Sequence, residues 1–353
     1  MTRMCFTISK HLLLKLRSMA FYGWPISQCQ SATTPLSVQL TDGIRVLDAR
    51  LAIKDGRLVA YHGQFPQRAT FQSILSDLHA FLTSPSSARE TIVVSIKQED
   101  YNTQSLEAFS TLVREEIEAS PGGINMWFLE NRIPTLGEVR GKVIMFSRFG
   151  GDGAAWEGRL EGMGIHPTSW PDSAKEVFSW ACKDVLVRTQ DWCVFLSHMP
   201  QQINDLWLCR YNISSFLNIP EKTQLSIEPL LPPPANITQP ILSITYFSAA
   251  SFPLATPTIV STGLGWPNIG LGIEGVNSRI AHFLLAALKE NTMLRAWTFM
   301  DFYDKPVGSG VVPLLIECNF KGSPRDAHSV IVSDPTRRPT STLILFTVTA
   351  YNN

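Results

Sequence analysis

Six short apolar runs in this sequence each end in, or contain near their end, residues that can do chemistry. Ile44–Ile53 alternates and holds Asp48-Ala49-Arg50. Leu58–Tyr61 runs into His62, Thr91–Ile96 into Lys97 and Glu99, and Lys142–Ser147 into Arg148. The run at Val185–Val187 leads to Asp191, and Ala296–Tyr303 contains Asp301. Histidine passes protons near neutral pH. Arginine offers an oxyanion a planar fork of donors that lysine cannot reproduce. Carboxylates and guanidinium groups together hold hydroxyl-rich ligands, because each hydroxyl both donates and accepts. Any one of these residues alone reads equally well as an ordinary ion pair or a structural histidine. Several strand ends of this kind in succession point to one polar mouth.

The elements that must position those residues are legible in the periodicity. Residues 71, 74, 75, 78, 81 and 82 are apolar, which is helical spacing over Phe71–Leu82, and Leu106–Ile117 and Gly275–Leu288 read as further helices. Leu58–Tyr61 follows the turn Lys54-Asp55-Gly56, and Ile241–Phe247 is a further strand. Strands alternating with helices predict a parallel sheet with crossover helices, here an irregular TIM-type (β/α)8 barrel of α/β class. In such a barrel the carboxyl ends of the strands build the active site. Pro229-Leu230-Leu231-Pro232-Pro233-Pro234 reads as a surface excursion.

Composition narrows the function classes. The chain has 353 residues, 44% hydrophobic and 17% charged, enough to build a sizeable core. Lys plus Arg equals Asp plus Glu at 30 each, which argues against a nucleic-acid binder but not against a local cationic pocket. The six cysteines include no CxxC pair, so a zinc ribbon is not expected. Cys182 and Cys193 either bridge or, as the plainer reading has it, stand as isolated buried thiols. No apolar run near the N-terminus reaches signal-peptide length, and Leu343–Ala350 is too short to span a bilayer. As written the chain reads as cytoplasmic. A secreted or peripheral protein is expected if its true start carries a signal peptide, and only then do the sequons at Asn212 and Asn236 matter.

One order of motifs is more specific than any of its parts. Gly43-Ile44-Arg45-Val46-Leu47-Asp48-Ala49-Arg50 is followed by Leu58-Val59-Ala60-Tyr61-His62-Gly63, then Ser95-Ile96-Lys97-Gln98-Glu99. Pro134-Thr135-Leu136, Arg140-Gly141-Lys142, Phe146-Ser147-Arg148, Trp170-Pro171-Asp172, Gln190-Asp191 and Met300-Asp301-Phe302-Tyr303 come next. From about Tyr22 to Phe320 the chain resembles the phosphatidylinositol-specific phospholipase C X-domain family, in its bacterial and fungal metal-independent form. The resemblance implies cleavage of a phosphatidylinositol-type lipid to diacylglycerol and a cyclic inositol phosphate. It implies His62, Arg50 and Asp301 as catalytic residues, and Lys97, Glu99, Arg148, Asp172 and Asp191 as substrate-binding residues. Lys97 stands where calcium-dependent members place extra carboxylates, so neither metal nor cofactor is expected. The expected partner is a phosphoinositide lipid at a membrane surface, met by a monomer with no transmembrane segment and no nucleic acid.

Two departures qualify that expectation. Cys193 stands where the family commonly has an aromatic residue. The family also opens on a strand ending in Gly-Thr-His-Asp, whose histidine is the general base partnered by the aspartate equivalent to Asp301. Here Leu16 and Arg17 occupy those places. Three segments are therefore expected: an atypical 1–21, a catalytic barrel over 22–320 and an irregular tail over 321–353. Either the start is misassigned or the chain is a catalytically dead phosphoinositide-headgroup binding module. A glycerophosphodiesterase-like barrel is a weaker alternative, because no His-Arg-Gly opening is present.

Overall fold

The computed structural model describes residues 24–31, 34–100, 103–171, 174–192, 218–233, 237–250, 255–292, 294–320 and 346–349. A short helix, α1 (Leu36–Thr41), leads into β1 (Val46–Lys54), β2 (Arg57–His62) and β3 (Phe65–Thr70), then α2 (Phe71–Thr83) and β4 (Ile92–Gln98). Next come α3 (Leu106–Glu118), β5 (Trp127–Phe128), β6 (Val143–Arg148), β7 (Phe178–Cys182) and β8 (Val185–Gln190). Residues 218–227 form a helix, α4, ahead of β9 (Ile241–Tyr246) and α5 (Pro257–Thr262). The chain continues through β10 (Gly263–Trp266), β11 (Leu271–Glu274), α6 (Val276–Lys289), β12 (Trp297–Met300), α7 (Val311–Cys318) and β13 (Phe346–Thr349).

Local chemistry explains where the long helices start. Thr70 Oγ1 accepts from Ser73 N at 3.1 Å and Ser105 Oγ from Ala108 N at 3.1 Å, so each occupies one of the orphan donors at the head of α2 and α3. Thr256 caps α5 in the same way. The faces that these helices bury, such as Ile74, Leu75 and Leu78 on α2 and Phe109 and Val113 on α3, pack on one side of the sheet.

Among the described residues, nine strands hydrogen-bond in the order β5-β6-β4-β1-β13-β12-β9-β8-β7, and β2 and β3 branch from β1. All neighbours along that path are parallel except β7 with β8. Alternation along each strand divides the side chains into two cores. Leu47, Ala49, Leu51, Val94, Ile96 and Met145 face the helices. Val46, Val93, Ile144, Phe146, Trp297 and Phe299 face inward. The Phe146 ring on β6 lies 6.2 Å from Trp180 on β7 and 6.0 Å from Trp297 on β12. Strands near the two ends of the hydrogen-bonded path therefore meet across a common interior: the sheet curls into an irregular barrel, although among the described residues it is not hydrogen-bonded shut.

Several elements differ from expectation. β2 runs antiparallel to β1, because the Asp55-Gly56 turn, with both residues at positive φ, folds the chain straight back. His62 thus reaches the mouth by a returning strand rather than at the end of a parallel one. β12 stops at Met300, and Asp301 begins the turn beyond it. The 321–353 tail was expected to be irregular, yet residues 346–349 form β13 in the slot between β1 and β12, pairing Asp48 with Thr349 and Phe299 with Thr347. Cys182, expected either bridged or isolated, is a free buried thiol, as is Cys29; Cys193 lies outside the described residues. No helix among the described residues is long and apolar enough to cross a membrane.

Candidate active site

Parallel register levels the site. Arg50 pairs with Lys97 and Lys97 with Arg148, so three cationic residues stand in one row across β1, β4 and β6. The row two residues below is Asp48, Ser95 and Phe146. Asp48 is fully buried beneath the cations. Its Oδ2 accepts from Arg50 Nε at 2.8 Å, and its Oδ1 accepts from Ser95 Oγ at 2.9 Å and from Arg148 Nη1 at 3.5 Å. Burial alone raises its pKa, but Arg50 and then Arg148 outweigh that and hold the carboxyl below its ordinary range.

Arg148 is packed as tightly. Its Nη1 donates to Tyr246 Oη at 3.0 Å, its Nη2 lies 3.7 Å from Asp191 Oδ2, and its guanidinium sits 4.2 Å from the centroid of Trp170. Trp170 Nε1 donates to Asp191 Oδ2 at 2.8 Å, leaving Asp191 Oδ1 buried with no hydrogen-bond partner among the described residues. An acceptor in that state is suited to a ligand hydroxyl. Arg148, Lys97, Ser147, His166 and Trp170 line a cavity of about 390 Å³.

On the other flank, Arg50 Nη1 donates to Glu99 Oε1 at 3.2 Å while Glu99 Oε2 accepts from Gly63 N at 3.0 Å. Glu99 thereby ties Arg50 to the turn just after His62. The His62 Nδ1 lies 3.5 Å from Cys29 Sγ. Burial, reinforced by the Arg50 charge, depresses the His62 pKa to about 4, so the imidazole is neutral at neutral pH in the free protein. Phe302 N donates to Cys29 O at 3.2 Å, which brings the turn carrying Asp301 against the same segment. Asn277 Nδ2 at the head of α6 fixes that turn by donating to the carbonyl oxygens of Asp301, Phe302 and Lys305, each at 3.0 Å. The Asp301 carboxyl is nearly inaccessible. Burial pushes its pKa up to about 7, against the lowering pull of Arg50 and Lys222.

The structure gathers His62, Arg50, Asp301, Lys97, Glu99, Arg148 and Asp191 at one mouth, while Asp172 lies outside the described residues. Glu99 differs from its expected place in one respect: both its carboxylate oxygens are engaged by Arg50 and Gly63. Cys29, Tyr246 and His166 went unread in the sequence. Tyr246 closes the run Ile241–Tyr246, so the strand-end rule applied once more would have found it. Cys29 and His166 carried no such signal. Among the described residues no group of three or more His, Cys, Asp or Glu is placed to hold a metal ion.

A curled parallel sheet with a cation row, buried carboxylates and a histidine at its mouth defines the class: an α/β barrel of the phospholipase C-like type. Residues 26–149 match the model of the phosphatidylinositol-specific phospholipase C, X domain. The 1-phosphatidylinositol phosphodiesterase of Staphylococcus aureus (strain Newman) is 32% identical over 117 residues, 32% of this chain and 36% of that protein. The one from Listeria monocytogenes serovar 1/2a is 31% identical over 127 residues, 35% of this chain and 37% of that protein. The aligned stretch thus spans little more than a third of each relative. In structure, a phosphatidylinositol-specific phospholipase C of S. aureus superposes with a TM-score of 0.54 at 18% identity, covering 83% of this chain and 88% of that one. The L. monocytogenes enzyme gives 0.53 at 19% identity, covering 85% and 89%. These solved structures share the fold over most of the chain.

Proposed function

We propose that the chain is a phosphodiesterase that cleaves phosphatidylinositol-type lipids to diacylglycerol and a cyclic inositol phosphate. The observation that carries this reading is the buried Asp48 carboxylate holding Arg50 and Arg148 on either side of Lys97, with His62 and Asp301 across the mouth. Arg50 and Lys97 would take the phosphoryl oxygens, and their fixed positive charge answers the charge that develops there. Arg148 and Asp191 Oδ1 would hold the inositol hydroxyls.

The reaction needs two proton transfers. The inositol 2-hydroxyl attacks phosphorus, the bond from phosphorus to the glycerol oxygen breaks, and the released alkoxide needs a proton. His62 supplies that proton once the bound phosphodiester anion has offset the burial and the Arg50 charge that together keep the free imidazole neutral. Asp301, whose pKa of about 7 suits exchange near neutral pH, accepts the proton of the attacking hydroxyl. Positioned groups of this kind contribute typically about 10²–10⁴-fold each. Neither step uses a metal, because Lys97 provides the charge.

A second reading, headgroup binding without turnover, draws on the sequence alone. Leu16 stands where the family has its general-base histidine, and a leucine accepts no proton. The test is release of cyclic inositol phosphate from phosphatidylinositol by the full chain and by His62→Ala. Binding of inositol phosphate without release supports the second reading against the first.

A further inference from the structure

Cys29 lies on a segment clamped at several points. It follows the short 3-10 turn Ile26–Gln28, and its own N–H donates to Ile26 O at 3.0 Å. Gln67 on β3 donates to Trp24 O at 3.0 Å, and Thr258 on α5 donates to Gln28 Oε1 at 3.0 Å. Gln30 and Gln39 both donate to Thr34 O, at 2.6 and 2.8 Å, which ties the far side of the segment to α1. From this fixed backbone Cys29 makes one contact to each flank of the mouth. Its carbonyl oxygen accepts from Phe302 N at 3.2 Å, in the turn that carries Asp301. Its buried sulfur lies 3.5 Å from His62 Nδ1, within hydrogen-bond reach of the larger atom.

A thiol suits that place because it can both donate and accept, although weakly. Burial, reinforced by the Asp301 charge, pushes its pKa well above the ordinary value, so the sulfur stays neutral. It can therefore partner the imidazole in either charge state. Its S–H donates to Nδ1 of a neutral ring protonated at Nε2, and its lone pair accepts from Nδ1–H once the ring is charged. A carboxylate in the same place would hold the imidazole charged. The other charges around the ring pull in opposite directions: Arg50 and Lys97 lower its pKa, while Glu99 and Asp48 raise it.

We propose that Cys29 is a positioning residue for both proton-transfer groups: its sulfur orients the His62 ring through Nδ1, and its carbonyl oxygen holds the turn of Asp301. The inference deepens the lipid-cleaving reading and rests on it. With Nδ1 engaged by sulfur, Nε2 is the nitrogen that carries the moving proton. The imidazolium gives that proton to the glycerol alkoxide as the bond from phosphorus to oxygen breaks. The neutral ring that remains keeps Nδ1–H on the sulfur, so Nε2 is the atom to be reprotonated before the next turnover. The sulfur forms no covalent bond and exchanges no electrons. Because the contact to Phe302 uses the backbone, substitutions at Cys29 report on the sulfur alone.

The experiment compares the full chain with Cys29→Ser, Cys29→Val and Cys29→Asp. Serine keeps a donor and an acceptor, whereas valine keeps apolar bulk and offers neither. For release of cyclic inositol phosphate, kcat should fall about tenfold in Cys29→Val with KM little changed, the loss of roughly one hydrogen bond. Cys29→Ser should stay close to the wild type. The reverse order, valine active and serine impaired, would make Cys29 a packing residue and overturn the proposal. Nitrogen-15 NMR of the His62 ring supplies a readout that needs no turnover. The Nδ1 signal should match the wild type in Cys29→Ser and depart from it in Cys29→Val. In Cys29→Asp the His62 pKa should rise by about 1–3 units, and the pH–rate profile should move with it. His62 signals unaltered by valine and aspartate alike overturn the contact; if the aspartate variant does not fold, serine against valine decides. The expected NMR changes with no release by any chain would remove the catalytic reading and leave the positioning of His62 standing.

Discussion

Arg50 donates from Nε to Asp48 Oδ2 at 2.8 Å although the two residues lie only two apart on the same strand. Period-two alternation makes this possible: both side chains point into the barrel, one directly above the other. Asp48 also takes Arg148 from a strand two places away, so one buried carboxylate fixes two guanidinium groups. Replacing Asp48 by Ala should cost about 3–5 kcal/mol, because it removes the buried counter-charge that Arg50 and Arg148 share and leaves each with one weaker partner, Glu99 and Asp191. Urea denaturation at neutral pH measures this, and a loss within experimental error would show that the pairs do not organise the mouth.

Asp301 gives the opposite sign. Its pKa of about 7 in the fold lies above the ordinary 3.8, so the folded state binds its proton more tightly than the unfolded chain does. That contribution is complete below about pH 4 and is lost as pH rises through 7. Asp301→Asn should therefore be more stable than wild type at pH 8, by something on the order of 3–4 kcal/mol, with little difference at pH 4. The same variant should lose activity, a trade of stability for function. Melting curves at the two pH values decide it, and a pH-independent difference contradicts the burial account.

Arg148 is held by Tyr246 and Asp48 and stacked on Trp170, a geometry that suits a planar guanidinium and not an ammonium. Arg148→Lys should weaken inositol phosphate binding roughly 10–100-fold, the range for losing one hydrogen bond to a charged group. Calorimetric titration provides the measurement, and unchanged affinity would place the headgroup elsewhere.

Much of this site was legible because strand ends announce themselves. Asp48-Ala49-Arg50, Lys97, Arg148 and Asp301 each follow an apolar run, and parallel register turned that linear pattern into a level row. Other features depend on contacts that no local pattern encodes. β13 was hidden because its role comes from the slot between β1 and β12, not from any alternation of its own. The return of His62 by an antiparallel strand followed from the Asp55-Gly56 turn, which was seen, but its direction relative to the barrel was not.

Charge at the phosphate is assigned to Arg50 and Lys97, so catalysis should withstand chelation. Treatment of the full chain with EDTA should leave phosphatidylinositol cleavage unchanged, and added calcium should not raise it. Loss on chelation with rescue by calcium would refute the assignment of Lys97 to that task.

The most direct test is the rate of cyclic inositol phosphate release from phosphatidylinositol by the full chain beside His62→Ala and Asp301→Asn. The account predicts measurable release by the wild type and a fall of about 10²–10⁴-fold in each variant, with inositol phosphate binding retained. Release that is the same in all three chains would contradict it and place the chemistry elsewhere.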